Sequence, residues 1–202
     1  MNNAPEPENM RFSARVPLDF DLNDPMSCFT YMKGTMSVLD ETDCSIDAGF
    51  IRGNLINFGH HHPLEVLDIV DDELANLATF FNKNGDLHEP IRDLVFGTGG
   101  HHDSIDQLIV LQRLYINPKF RGFGFAKTII DQTLKFFNDK IEVALLIADP
   151  QKEETDEMGD LSQFKNITRE QGVDKLISHY STMGFLALPN NSNFMIKSVP
   201  TY

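Results

Sequence analysis

One segment limits the fold of this 202-residue chain more than any other: a glycine-rich loop between two apolar runs. Ile105–Ile116 is almost continuously apolar, which predicts a central strand covered on both faces. After the loop, apolar residues recur at helical spacing up to Phe137, and Ile141–Ala148 forms a second apolar run. Strand, loop, helix and strand within about forty residues make a βαβ unit. The sequence therefore predicts an α/β (α+β) fold with a mixed, partly parallel central sheet flanked by helices.

The residues before this unit predict a hairpin followed by helices. β-Favouring residues in Met26–Val38 and Cys44–Asn57 flank the turn-rich Asp40–Asp43, as in a long hairpin. Asp68–Asn82 has apolar residues at helical spacing and acidic residues in its first turn, which predicts a helix with Asn84-Gly85 as its cap. Pro90 predicts the start of a further short helix.

The last part of the chain predicts a helix and a closing hairpin. Val173–Tyr180 has an apolar stripe that ends at Gly184, and Phe185–Leu188 and Phe194–Val199 suit two short strands. There are no internal repeats and no clear linker, so residues 1–202 are predicted to form one domain. Its predicted parts are a flexible N-terminus (1–10), a helical insertion before the central strand (59–104) and a core (105–199).

Composition limits the partners. Lys and Arg number 17 against 30 Asp and Glu, a formal net charge of −13, so binding to nucleic acid or to an anionic membrane is not expected. Such a charge favours a cationic ligand, for example an amine. The N-terminus lacks a signal peptide pattern and no apolar run is as long as a membrane span, which predicts a cytoplasmic protein. Cys28 and Cys44 are predicted to be reduced thiols, and a disulfide across the hairpin is the alternative.

The loop has the features of a phosphate-binding site. A strand that runs through glycines into a helix directs unpaired backbone N–H groups and the positive end of the helix dipole at one place. Glycines let an anion approach the backbone closely, and Arg121 and Lys127 add positive charge. The Walker pattern is missing, and Lys127 stands where a dinucleotide-binding loop needs Gly or Ala. The alternative interpretation is a tight turn that only packs the helix on the sheet.

Two motifs carry a resemblance to a known family. The Arg-x-x-Gly-x-Ala pattern of Arg121–Ala126, after a strand that ends in Asn-Pro, resembles motif A of the GNAT acyltransferase superfamily. In that family the amides of this loop hold the pyrophosphate of coenzyme A. Tyr180–Phe185 is similar to the family's Tyr-x-x-x-Gly-Phe element. The resemblance covers about Ile105–Val199 and implies a GNAT-like fold with residues 105–199 as the acyl-CoA-binding core.

The resemblance implies an N-acyltransferase that moves an acetyl (acyl) group from acetyl-CoA directly to a small-molecule or peptide amine. A backbone amide where the central strand splays from its neighbour would polarise the acyl carbonyl, and Tyr180 would protonate the departing thiolate. The implied cofactor-binding residues are Leu114, Tyr115, Ile116, Arg121, Gly122, Phe123, Gly124, Phe125, Ala126 and Lys127. Three alternatives stay open: a Tyr180 packed in the core with its hydroxyl bonded to backbone, a non-catalytic acyl-CoA-binding or sensing module, and a protein-interaction domain on an acidic scaffold.

Several features stay unassigned. The early hairpin departs from the family plan, which generally places two helices between the first strand and the hairpin. No general base is evident, since the central strand offers only Asp106 and Gln107 near its start. His60–His62 and His101–His102 lack metal-site spacing, so no metal is predicted, and the preferred interpretation is that one of them lines the acceptor pocket. A homodimer is left open.

Overall fold

A computed structural model describes residues 7–15, 24–39, 43–59, 61–69, 72–98, 104–137, 141–150, 168–188 and 191–199. The strands in these residues are β1 (Pro7–Arg15), β2 (Phe29–Leu39), β3 (Ser45–Asn57), β4 (Gln107–Ile116), β5 (Val143–Ile147), β6 (Leu186–Leu188) and β7 (Asn191–Ser198). The helices are α1 (Pro63–Asp68), α2 (Asp72–Ala75), α3 (Glu89–Phe96), α4 (Phe125–Phe137) and α5 (Arg169–Ser181). Short 3₁₀ turns occupy Pro25–Cys28, Asn76–Phe80 and Pro118–Phe120.

The described strands form one sheet in the order β1-β2-β3-β4-β5-β7-β6. Neighbouring strands run antiparallel except β4 and β5, which are parallel and connected by α4. The predicted βαβ unit and the predicted mixed, partly parallel sheet are thus confirmed. The predicted hairpin is confirmed as well, since β2 and β3 pair along their whole length.

The parallel strands β4 and β5 pair over only part of their length. Their register runs from Leu108 opposite Val143 to Leu111 opposite Leu146, whereas β4 continues to Ile116. On the other side of β4, Gly53 of β3 lies opposite Leu111 and Arg52 lies opposite Arg113, so Gln112 is an extra, bulged residue. Because a bulge bends its strand and increases the local twist, the two parallel strands separate at their carboxyl ends.

The sheet has a hydrophobic core on each face. Alternate residues of β4 point to opposite sides, so that Leu108 and Val110 belong to the core under α1–α3, while Ile109 and Leu111 belong to the core under α4 and α5. All five residues of β5 are buried, as expected for a strand covered on both faces. The two cores hold the end of β4 and the start of α4 in fixed positions.

Two predicted boundaries are wrong. The strand β1 begins at Pro7, inside the segment 1–10 that was predicted to be flexible. The single helix predicted over Asp68–Asn82 is instead α1, α2 and a 3₁₀ turn. The reason is local: Pro63 occupies the first turn of α1, and the His62 side chain caps that helix by accepting from the Leu64 N–H. Asn84-Gly85 does not cap a helix.

Asn84-Gly85 lies in a tight turn between two bridged residues, Phe81 and Leu87. The Asn82 side chain accepts from the Asn84 N–H at 2.8 Å and closes this turn. The helix that was predicted to start at Pro90 is confirmed as α3, with Ile91 and Val95 buried. Gln151–Asp160 is acidic and poor in apolar residues, which predicts a loop, and this segment lies outside the described residues.

Candidate functional site

The separation of β4 and β5 opens a cavity of about 560 Å³. Its walls are Gln112–Ile116 of β4, most of the loop from Phe120 to Lys127, the end of β5 and the inner side of α5. Cavities of about 300–1,000 Å³ commonly hold small ligands and cofactors. Ligands also tend to bind beyond the carboxyl ends of strands in such sheets. The structure therefore brings the predicted loop and the predicted strand end together with Tyr180.

The loop reaches α4 through two glycines with left-handed backbone. Asn117 begins the 3₁₀ turn by accepting from the Lys119 N–H at 3.1 Å. Gly122 and Gly124 then both have φ of +83°, a conformation that favours glycine. A Cβ at either position would meet no atom within 4 Å, so the space in front of both residues is open.

The amides of this loop are open. Within the described part of the chain, no backbone N–H from Gly122 to Lys127 donates to a protein acceptor, and the next N–H along, that of Thr128, donates to the Gly124 carbonyl at 3.1 Å. Open N–H groups at the start of a helix, together with the helix dipole, form a suitable place for an anion. Binding of a pyrophosphate there stays a prediction.

The two cations of the loop have protein partners. Arg121 Nε donates to the Ile116 carbonyl at 2.9 Å, which ties the loop to the end of β4. Lys127 Nζ forms an ion pair with Asp131, one helical turn further on. Exposed pairs of this kind contribute little to stability. Phe123, a predicted cofactor-binding residue, is 42% exposed and is not among the residues that line the cavity.

Tyr180 lies on the cavity wall opposite the loop. It stands in the last turn of α5, which begins with a capping box at Thr168, and only 7% of the tyrosine surface is exposed. Its ring lies 6.5 Å from that of Phe185. Among the described residues, its hydroxyl has no hydrogen-bond partner, so the alternative of a hydroxyl bonded to backbone is not observed there. Burial raises the pKa of Tyr180 to about 12, so the hydroxyl keeps its proton at neutral pH.

The raised pKa of Tyr180 predicts a loss of stability at alkaline pH. The unfolded tyrosine ionises near pH 10.0, whereas the folded one does so near 12. The group therefore contributes its full stability below pH 10, and this contribution falls as the pH rises towards the folded pKa, by up to roughly 3 kcal/mol. Urea unfolding between about pH 9 and about pH 12 should show a smaller loss for Tyr180→Phe than for the parent chain. Equal losses in the two proteins would contradict this assignment.

Other residues of the cavity carry no motif and were missed by the sequence analysis. Arg113, Asp149, Lys175, His179 and Met183 all line it. Asp149 lies two residues after the end of β5 and pairs with Arg169. For two of them, position in the sequence could have indicated a place in the cavity. Asp149 comes at the carboxyl end of a buried strand, and Met183 follows Tyr180 at helical spacing.

Other candidates are not brought to the cavity. Asp106 is exposed and, with Gln107, lies at the opposite end of β4. His62 Nδ1 accepts from the Leu64 N–H at 3.3 Å and its Nε2 contacts the Lys83 carbonyl at 3.2 Å, which explains it as a capping residue. Neither His61 nor His62 lines this cavity, and a place for either of them in the acceptor pocket stays a prediction.

The remaining predictions have mixed outcomes. His60, His101 and His102 lie outside the described residues. Cys28 and Cys44 are free thiols, as predicted. No helix among the described residues is long and apolar enough to cross a membrane. The cytoplasmic location, the homodimer and the single-domain division stay predictions.

Comparison with known proteins finds likeness in structure only. No protein-family model and no curated protein sequence matches this chain. A GNAT family N-acetyltransferase (YhbS) from Escherichia coli in complex with CoA matches with 11% identity and a TM-score of 0.37 over 83% of this chain, which spans 59% of the length of that chain. NAA60 of Arabidopsis thaliana with a bisubstrate analogue matches with 12% identity and a TM-score of 0.40, covering 86% of this chain and 77% of the other.

A third solved structure, arylalkylamine N-acetyltransferase 2 from Aedes aegypti, matches with 15% identity and a TM-score of 0.40, covering 82% of this chain and 73% of the other. GNAT-family N-acetyltransferases are thus among the solved structures that this chain resembles. At these identities and TM-scores the likeness is distant.

Proposed function

We propose that this protein is a GNAT-type N-acyltransferase that moves the acetyl group of acetyl-CoA to an amine. The observation that carries the proposal is the run of open amides from Gly122 to Lys127. These amides border the gap between β4 and β5, and Tyr180 closes the other side of the same cavity. An anion-binding loop, an open strand edge and a protonated hydroxyl are the groups that an acyl-CoA and its leaving thiolate require.

Two parts of coenzyme A would be bound by different elements of the cavity wall. Its pyrophosphate would accept hydrogen bonds from the amides at the start of α4, where the helix dipole adds a favourable potential. Its arm contains amide groups, and these can pair with the edge of β4 from Gln112 to Ile116, which lies beyond the part paired with β5. Pairing an extended ligand with an open strand edge is a common mode of recognition.

The transfer itself would use groups on both walls of the cavity. A backbone N–H within Leu114–Ile116 would polarise the acyl carbonyl, and the amine would attack the carbonyl carbon. Tyr180 would then give its proton to the departing sulfur. Among the described residues that line the cavity, Asp149 and His179 are the side chains able to accept the proton of the amine. Holding the amine beside the thioester supplies a large part of the acceleration.

One observation favours a second candidate, a non-catalytic module that binds or senses acyl-CoA. The part of β4 that lines the cavity, Gln112–Ile116, contains no carboxylate and no histidine, so the central strand offers no base. The two candidates share the binding of acyl-CoA and differ only in turnover.

Binding of acetyl-CoA tests both candidates and turnover separates them. At 100 times its dissociation constant, acetyl-CoA should raise the free energy of unfolding by about 2.7 kcal/mol. Urea unfolding with and without acetyl-CoA measures this change, and a thiol-release assay over a panel of amines measures turnover. Stabilisation with thiol release supports the acyltransferase, and stabilisation without release from any amine supports the module. If acetyl-CoA does not stabilise the protein, both the acyltransferase and the binding module are excluded.

A further inference from the structure

The loop that leads into α4 contains three phenylalanines, and one of them has no place in either core. The ring centroids of Phe120 and Phe125 lie 6.0 Å apart, and both rings pack in the core under α4 and α5. Phe123 is 42% exposed, belongs to neither core, and contacts no aromatic ring among the described residues. Single exposed apolar residues are common, so any role of Phe123 depends on where it lies.

Phe123 lies beside the candidate anion site. It stands between Gly122 and Gly124, whose backbone amides, with its own, belong to the open run that ends at Lys127. Neighbouring Cα atoms are about 3.8 Å apart, so an anion bound to these amides would lie within reach of the Phe123 ring. A Cβ on either glycine would meet no atom within 4 Å, which leaves room for a ligand on both sides of Phe123.

The loop separates the cavity from the outer side on which Phe123 is exposed. Gly122, Gly124 and Phe125 line the cavity between β4 and β5, whereas Phe123 does not. In the binding mode proposed above, the acyl arm of coenzyme A occupies the cavity and the pyrophosphate lies on the loop amides. The pyrophosphate is in the middle of the molecule, and the nucleoside follows it. The nucleoside would therefore leave the cavity across the loop, where Phe123 is exposed.

A phenyl ring can recognise a nucleoside through its base. Nucleobases stack on aromatic side chains, and this holds for every base because each has a π-face. Phe has no hydrogen-bonding group in its side chain, so it would hold the face of a base without reading its edge. A purine, with two fused rings, offers the larger area for such a contact.

We propose that Phe123 binds the adenine base of the acyl donor by stacking. This inference rests on the acyl-CoA binding proposed above and names the class of donor: a complete acyl-CoA, with its nucleotide. An acyl group carried on the phosphopantetheine arm of a carrier protein has no base to place on Phe123. The side chain of Phe123 thus selects the form of the donor, while the loop amides hold its phosphates.

The first experiment compares two ligands that differ in adenosine. Dephospho-CoA has the arm, the pyrophosphate and the adenosine, and the methyl ester of pantetheine 4′-diphosphate carries the same charges without the adenosine. In calorimetric titrations the parent chain should bind dephospho-CoA about fivefold to a hundredfold more tightly than the methyl ester. Phe123→Ala should lose this preference and should bind the methyl ester within about twofold of the parent chain.

The matched control is Phe136→Ala, which removes a ring that is 61% exposed on α4 and does not line the cavity. It should bind both ligands as the parent chain does. An equal loss of affinity for both ligands in Phe123→Ala would mean that the side chain only shapes the loop. Unchanged affinity for dephospho-CoA would mean that the base lies elsewhere. Either result overturns the inference and leaves the proposed function intact.

A second experiment detects the stacked base directly, because the chain contains no Trp. Phe123→Trp places a single indole in the loop, and a purine stacked on an indole quenches its emission. Dephospho-CoA should therefore quench Phe123→Trp, the methyl ester should not, and Phe136→Trp should respond to neither ligand. Because the indole keeps an aromatic face, Phe123→Trp should also retain the preference for dephospho-CoA. Equal emission with both ligands at saturation would contradict stacking.

Titration with ADP separates failure of this inference from failure of the proposed function. ADP has the base and two phosphates but no acyl arm. If the parent chain binds neither acetyl-CoA nor dephospho-CoA, the proposed function fails, and ADP is then titrated into Phe123→Trp. Quenching by ADP supports a nucleotide site at the loop without acyl-CoA, and the absence of quenching overturns this inference as well.

Discussion

Replacing Tyr180 with Phe is expected to lower kcat by about 100-fold or more, because a positioned general acid commonly contributes 10²–10⁴-fold. The thiolate would then have to leave without its proton donor. The change removes only the hydroxyl, and that hydroxyl has no hydrogen-bond partner among the described residues. Burial raises its pKa to about 12, so the proton is present throughout the neutral range. The ring should keep its contact with Phe185, and the affinity for acetyl-CoA should change by less than about twofold.

The measurement is thiol release at saturating acetyl-CoA, together with calorimetric titration of acetyl-CoA. Tyr31→Phe removes a hydroxyl from a tyrosine that is 36% exposed on β2 and does not line the cavity, which makes it the matched control. An unchanged kcat in Tyr180→Phe would exclude Tyr180 as the acid. A parallel loss of turnover and affinity would indicate a packing role for the hydroxyl instead.

Gly124→Val is expected to weaken acetyl-CoA binding by about tenfold to a hundredfold. Gly124 has φ of +83°, and a β-branched residue there is strained by about 1–3 kcal/mol. The loop would relax to a different backbone, so that its amides no longer point at one place. To bind acetyl-CoA, the loop would have to return to its original, strained backbone. The strain energy would then be subtracted from the binding free energy, which lowers the affinity about tenfold for each 1.4 kcal/mol. The new side chain would also stand in the open space in front of the loop.

The control for this prediction is Gly97→Val. Gly97 follows α3, has φ of +80°, and its Cβ would likewise meet no atom within 4 Å. It does not line the cavity. Both variants should therefore lose similar free energy of unfolding in urea, while only Gly124→Val should lose affinity in the calorimeter. Similar affinities for both variants would show that the loop does not bind the cofactor.

The predicted fold was correct where the signals were local and strong. The apolar runs of Ile105–Ile116 and Ile141–Ala148, with a helical pattern between them, were sufficient to predict a parallel pair of strands. The prediction was wrong at Pro7 and over Asp68–Asn82. At these places tertiary contacts and helix capping outweighed the local sequence pattern. Pairing with β2 makes the chain a strand from Pro7 onward, and the His62 cap places the start of α1 at Pro63.

The candidate site was predictable in part for the same reason. The loop from Gly122 to Lys127 is a continuous stretch of sequence. Its glycines and its position between a strand and a helix can therefore be predicted from adjacent residues. The histidine clusters gave no such guidance: His62 caps α1, and His179, which does line the cavity, was not singled out.

By itself the sequence determined the βαβ unit, its glycine loop and the position of Tyr180 in a helix before Gly184, because each depends on residues close together in the chain. Only the tertiary structure decided that β4 and β5 separate after Leu111, and that Lys33, Arg52 and Arg113 lie side by side on one face of the sheet. These three residues come from three strands, and their alignment depends on a strand register that includes the bulge at Gln112. A register shift of one residue would turn a side chain to the other face of the sheet, so pairing between distant segments sets which charges meet.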